Sequence, residues 1–224
     1  MPTPTAPTEP AGRDTAEGPR AHAALLLLSA ASGAADAFVF LCVGQVFAGV
    51  MTGNLVLLGA SAAGAGEEGV APRAVTALLS YGCGVAWGAV AGERRWGRLP
   101  VMLLTEVALL TAGAVLWACG LITSGADRLG LLVVMGLAMG IQGRVRAVPT
   151  NYFTGTLTSL VGRLALRSWR RGDGWVAGRL SAVVAGAALA ALTVRLWPAS
   201  GAVAAAGAAA AALLVEAAGR RAVP

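Results

Sequence analysis

Residues 47–59 read FAGVMTGNLVLLG, and residues 151–162 read NYFTGTLTSLVG. Each places a Thr-Gly step between apolar flanks, about a hundred residues apart. Such a step makes sense only in the setting that the rest of the chain defines. The chain has 224 residues, 57% of them hydrophobic and 12% charged. Ordinary soluble domains carry roughly 25% charged residues. The apolar runs are long, almost free of charge and rich in Gly and Ala, the small residues that let membrane helices approach closely. A bilayer core needs about 20 such residues per helix.

Six runs meet that length, near 23–46, 73–92, 100–121, 129–147, 176–197 and 200–217. Two shorter apolar pieces, near 52–62 and 153–166, each open on a Thr-Gly step. At about 1.5 Å per residue they reach only some 16–21 Å, short of a hydrocarbon core of about 30 Å. The sequence therefore predicts an all-α, polytopic membrane protein with six transmembrane helices and two short broken helices. The lipid bilayer is its first partner. The leading segment 1–21 is Pro-, Thr- and Ala-rich with both charge signs, and reads as a disordered cytoplasmic tail. Residues 22–219 read as one transmembrane domain.

Charge sets the orientation. The net charge is +6, and every basic residue other than His22 is Arg. The arginines gather in the N-terminal tail, in GERRWGRLP (92–100), in residues 163–179 and at the C-terminal GRRAVP. Cytoplasmic loops hold the positive charge. Six crossings, with the short pieces not crossing, put all of these clusters inside a bacterial plasma membrane with both termini. The weakly charged GAGEEGVAPR (64–73) and TSGADRL (123–129) then fall outside. The arginines thus read as topology signals, and no aromatic-and-basic pattern for nucleic acid accompanies them.

The halves 22–122 and 129–219 share a layout: a long run, a Thr-Gly step, a short piece, a polar loop and two more spans. Three spans per half invert the second half relative to the first. Inverted repeats with Gly-interrupted segments at matching places point to a transporter's central site. The candidate binding residues follow. Thr52 and Thr154 are placed to cap short helices whose N–H groups suit an anionic or carbonyl-bearing solute. Gly53 and Gly155 permit the irregular backbone. Asn54, Thr156 and Thr158 add polar contacts close by. Asp36, about fourteen residues into the first span, is costly in lipid and reads as a pathway or proton-linked carboxylate. Gln45 and Gln142 precede the two steps. Arg144 reads either as a ligand or counter-ion for Asp36, or as an end anchor. Glu106 reads as a snorkelling interface residue or a second protonatable group.

Cys42, Cys83 and Cys119 are widely spaced in apolar runs and read as buried small hydrophobes. His22 lacks partner spacing and reads as interfacial. Neither HExxH nor GxSxG occurs, so no enzyme activity, metal or other cofactor is expected.

Several of these motifs resemble the YoaK family of bacterial integral membrane proteins, whose activity is unknown. The resemblance lies in Gly33-Ala34-Ala35-Asp36-Ala37, Phe47 with Met51-Thr52-Gly53-Asn54, Met139-Gly140-Ile141-Gln142, and Thr154-Gly155-Thr156-Leu157-Thr158. This chain departs at Gly143, where the family often has Asn, and at Gly49-Val50, where it often has a polar residue. The resemblance implies six spans and supplies no substrate. The residues themselves suggest a small secondary transporter of a small polar or anionic solute, with a non-transporting scaffold or sensor as the alternative. A homo-oligomer is compatible with either.

Overall fold

The computed structural model describes residues 18–93, 98–145 and 151–221. Most of the N-terminal tail, Arg94, Arg95 and Arg146 lie outside the described residues. The described residues are all-helical, with six helices long and apolar enough to cross a membrane. In order the helices are α1 (Pro19–Phe38), α2 (Met51–Ala62), α3 (Val70–Glu93), α4 (Arg98–Ala118), α5 (Gly125–Gln142), α6 (Phe153–Ala165), α7 (Asp173–Val194) and α8 (Ser200–Arg221). The short pieces are α2 and α6, as length predicts.

Local chemistry explains the ends. Pro19 opens α1, where its missing N–H costs nothing. Ser124 and Asp127 form a reciprocal capping box at α5: the Asp127 N–H donates to Ser124 Oγ (3.1 Å) and the Ser124 N–H to Asp127 Oδ2 (2.8 Å). α1 does not stop at Phe38 but widens into a π-helical turn, Val39–Gly44. Gln45 then closes that turn by donating its N–H to the Phe40 carbonyl at 3.2 Å. Its φ of 58° is left-handed, which ends the helix.

Beyond Gln45 the chain turns back into the bundle. Gly44 lies against the Arg73 side chain in the first turns of α3. Gly49, only five residues later, is hydrogen-bonded to Asp36, two turns back down α1. Asp36 is thus the deeper of the two along this helix, separated from Gly44 by the π-helical turn. α2 rises from that depth and packs along α3. The segment joining α5 to α6 includes residues 146–150, which lie outside the described residues. Asn151 reaches the carbonyl of Met139 in the last turns of α5, and α6 then runs toward the start of α7.

The two short helices have nearly the same ends. Their N-caps are Val50 (φ −86°, ψ 75°) and Tyr152 (φ −86°, ψ 68°), and their C-caps Ala63 and Leu166 share φ −83° and ψ 4°. A left-handed residue follows each, Gly64 (φ 77°) and Arg167 (φ 52°).

Glycine sets the tightest crossings. A Cβ on Gly33 of α1 would overlap the Val183 carbonyl of α7, and one on Gly186 of α7 would overlap the Ala30 carbonyl. Gly140 of α5 meets the Tyr81 carbonyl of α3 in the same way, and Gly84 of α3 meets that of Leu137. α1 packs chiefly on α7 and α8, and α5 on α3 and α4, with α4 against α8. Two apolar clusters fill the interior. One joins Phe38, Val39, Leu110, Leu132 and Met135; the other joins Leu28, Met102, Leu103 and Ile141 near the chain ends.

Candidate functional site

Irregular backbone inside a membrane must have its polar groups satisfied by protein. Two buried side chains meet part of that demand in residues 44–50. Asn54, 0% exposed, pairs with both backbone groups of Phe47: its Oδ1 accepts the N–H at 2.9 Å and its Nδ2 donates to the carbonyl at 2.7 Å. Asp36 Oδ1 accepts the Gly49 N–H at 2.7 Å, and the amides of Ala48 and Val50 face the same carboxylate. Arg73 donates to the Gly44 carbonyl at 3.3 Å. The Gly49 carbonyl accepts from Met51, and the Val50 carbonyl from Asn54. Asp36, Gly49 and Asn54 therefore come together, as an internal clamp. The amides that an anionic solute would use already hold the protein's own carboxylate.

The other predicted residues are placed differently. Thr52 and Thr154 are not caps: each is the second residue of its helix, and neither helix has a side-chain cap. The reason is backbone geometry, which places Val50 and Tyr152 at the caps. Thr52 shares an exposed face with Leu55 and Val56, and Thr154 with Leu157 and Thr158. Thr156 and Thr158 return their hydroxyls to the carbonyls four residues back, at 2.7 and 3.0 Å. Gly53 and Gly155 lie under the rings of Phe47 and Tyr152, where a side chain would collide. α2 packs chiefly on α3 and α6 on α7, so the two Thr-Gly steps sit on separate helix pairs.

Gln45 is exposed and serves as the left-handed hinge. Gln142 is 0% exposed and donates to the Leu28 carbonyl at 2.8 Å, tying α5 to α1. Arg144 is exposed, with its stem along Gly88 of α3, and makes no ion pair with Asp36. Gly143 leaves room that Tyr81 and Asn151 occupy: a Cβ there would come 2.9 Å from Tyr81 Oη and 3.3 Å from Asn151 Oδ1. Asn151 in turn bonds Tyr81 at 3.2 Å and the Met139 carbonyl at 3.4 Å.

Three features are settled only by the tertiary structure. Glu106 is not a snorkelling residue. It is 0% exposed, and neither carboxyl oxygen has a hydrogen-bond partner among the described residues. Its neighbours one turn either way, Leu103 and Leu110, belong to the two different apolar clusters, so it marks their boundary. Arg163 closes the second short helix onto α7 by a bidentate pair with Asp173, 2.7 Å at the shortest. Finally, a cavity of about 270 Å³ opens at the end opposite the termini, lined by Arg73, Arg128, Thr123, Ser124, Val43 and Leu132 among others. Arg73 and Arg128 carry the one available signal, arginines at helix starts on the side where the charge rule disfavours them.

The family described as "Protein of unknown function (DUF1275)" matches residues 24–215. The chain belongs to this family. Among curated proteins it is similar to the UPF0700 transmembrane protein YoaK of Bacillus subtilis (strain 168), 29% identical over 159 residues, covering 66% of this chain and 70% of that protein. No solved structure matches the chain. The match spans all six long helices and both interrupted segments, so the clamp lies within the family's shared region.

Proposed function

We propose that this chain is a small secondary transporter of a small polar or anionic solute, built as two inverted repeats. One observation carries the reading: the two short helices begin and end with the same backbone geometry, and the segment before the first doubles back from Gly44 to Asp36. Non-helical backbone at membrane depth belongs where it borders a cavity or a pathway. The helix pairing supports the repeat. Exchanging α1–α4 with α5–α8 turns the α1–α7 contact into α5–α3, and α1–α8 into α5–α4. Gly33 and Gly140, and Gly186 and Gly84, make equivalent approaches to opposing carbonyls.

Within this reading the roles are redistributed. Asp36 and Asn54 latch the first interrupted segment, and Gln142 ties the halves together. Glu106 is the proton-linked group, because an unpartnered carboxyl inside a helix bundle marks an ion or proton path. The positive-inside rule places the termini in the cytoplasm of a bacterial cell. A non-transporting scaffold or sensor is the second reading, favoured by how completely Asp36, Asn54 and Gln142 are engaged by protein partners.

Proteoliposomes carrying an internal pH dye separate the two. The chain is reconstituted and challenged with a panel of small carboxylates, phosphates and neutral polar solutes. Saturable, solute-specific proton flux that is lost in Glu106→Gln supports transport. A folded protein that moves none of the panel, under either sign of pH gradient, supports the scaffold.

A further inference from the structure

The cavity opposite the termini holds none of the residues of the Asp36–Asn54 clamp. Its walls come from three separate places: the π-turn at Val43, the first turns of α3 at Arg73, and the α4–α5 turn with the first turn of α5 at Thr123, Ser124 and Arg128. Two arginines therefore line one space. Neither forms an ion pair with a carboxylate among the described residues. Arg73 spends one N–H on the Gly44 carbonyl, at 3.3 Å, out of the five that a guanidinium offers. Asp127, the nearest acid in sequence, is turned into the adjoining loop. Its Oδ2 accepts from the Thr123 N–H and hydroxyl and from the Ser124 N–H, at 3.0, 3.2 and 2.8 Å. Glu67 and Glu68 lie on the loop over Arg73, exposed and unpaired with it. Like charges on one polar cavity repel unless something negative lies between them, and planar guanidinium forks match oxyanions. Liquid water takes about 30 Å³ per molecule, so about 270 Å³ holds one small oxyanion with part of its hydration.

We propose that Arg73 and Arg128 form an oxyanion-binding vestibule, selective for a phosphate- or carboxylate-bearing group. It deepens the transport reading by naming the class of solute admitted at this end, yet binding here is measurable without flux. Each failure is then distinct: a chain that binds oxyanions without moving them retains the vestibule and loses the transporter. The vestibule also abuts the hinge. Arg73 holds the Gly44 carbonyl, next to the left-handed Gln45, so an anion that draws on Arg73 acts directly on the start of the interrupted segment.

The same chemistry has two sources, a free oxyanion or a lipid phosphate, and the test has an arm for each. The full chain in detergent at low ionic strength is titrated with inorganic phosphate by calorimetry. A second sample, offered phosphatidylglycerol, is examined by native mass spectrometry for retained lipid. Expected is saturable binding in at least one arm, competed by salt and weakened at least tenfold in R73Q/R128Q. The R73K/R128K variant recovers part of it, and unchanged helical circular dichroism shows that both variants fold. Binding confined to the lipid arm assigns the vestibule to a headgroup, and binding of phosphate assigns it to a soluble oxyanion. Binding that ignores R73Q/R128Q in whichever arm it occurs, or no binding in either arm by the unaltered chain, overturns the proposal.

Discussion

Asp36→Ala removes the carboxylate from the irregular segment and leaves the shell intact. The Gly49 N–H loses a 2.7 Å charge-assisted bond, a type worth about 1.5–3 kcal/mol. Gly49 and Ala48 are buried, so the freed amides also lack water, and one stranded donor costs about 1–3 kcal/mol. These terms overlap, so the substitution should destabilise by about 2–4 kcal/mol. For a chain of this size, each kcal/mol shifts Tm by about 2–4 °C, giving a drop of roughly 4–16 °C. Asp36→Asn retains an oxygen acceptor in the same place and should lose less than half as much. The assay is thermal unfolding in a single detergent, paired with hydrogen exchange across residues 46–54. Exchange should rise at Gly49 and its neighbours in Asp36→Ala, and little elsewhere. An Asp36→Ala protein with unchanged Tm and a still-protected Gly49 amide would refute the clamp, and would return Asp36 to the role of a solute or proton ligand.

Asn54→Ala strands both backbone groups of Phe47 and should destabilise by about 2–4 kcal/mol, with Asn54→Asp nearly as harmful because it cannot donate; thermal unfolding of the two variants checks this. Gly33→Ala and Gly140→Ala each force a methyl against an opposing carbonyl and should cost about 1–3 kcal/mol apiece, with similar penalties if the halves are equivalent. Glu106→Gln preserves shape, and should leave Tm unchanged or raise it while abolishing proton-linked flux in the vesicle assay. Gln45→Gly removes the strain of a left-handed residue, about 1–3 kcal/mol, and should retain both folding and any flux; loss of flux in a more stable protein would show that the Gln45 side chain is a ligand after all.

How much of this was legible in the sequence depends on range. The six spans and two short helices follow from run length alone, and Gly33 and Gly140 already stand out within their motifs. Asp36 and Asn54 were legible as buried polar residues but not as partners of backbone thirteen and seven positions away, because the direction of the chain after Gln45 depends on a π-turn with no sequence mark. For the same reason the sequence offers Thr52 and Thr154 as caps, whereas the caps fall two residues earlier at Val50 and Tyr152. The Gln142 bond to Leu28 joins residues 114 positions apart, beyond any local pattern. The burial of Glu106 depends on α8 and α5 closing over one face of α4. The vestibule needs three distant turns to meet, although its arginines were visible as exceptions to the charge rule.

The central claim is that the two short helices re-enter the bundle instead of crossing it. The most direct measurement is the sidedness of a single cysteine at exposed Ala65, just past α2, in a cysteine-free chain in sealed vesicles. The same background with a cysteine at Ser168 marks the face that carries the termini. Re-entry predicts that an impermeant thiol reagent reaches Ala65→Cys and Ser168→Cys from opposite faces. Labelling of both from the face that holds the termini would mean that α2 crosses, and would contradict the account.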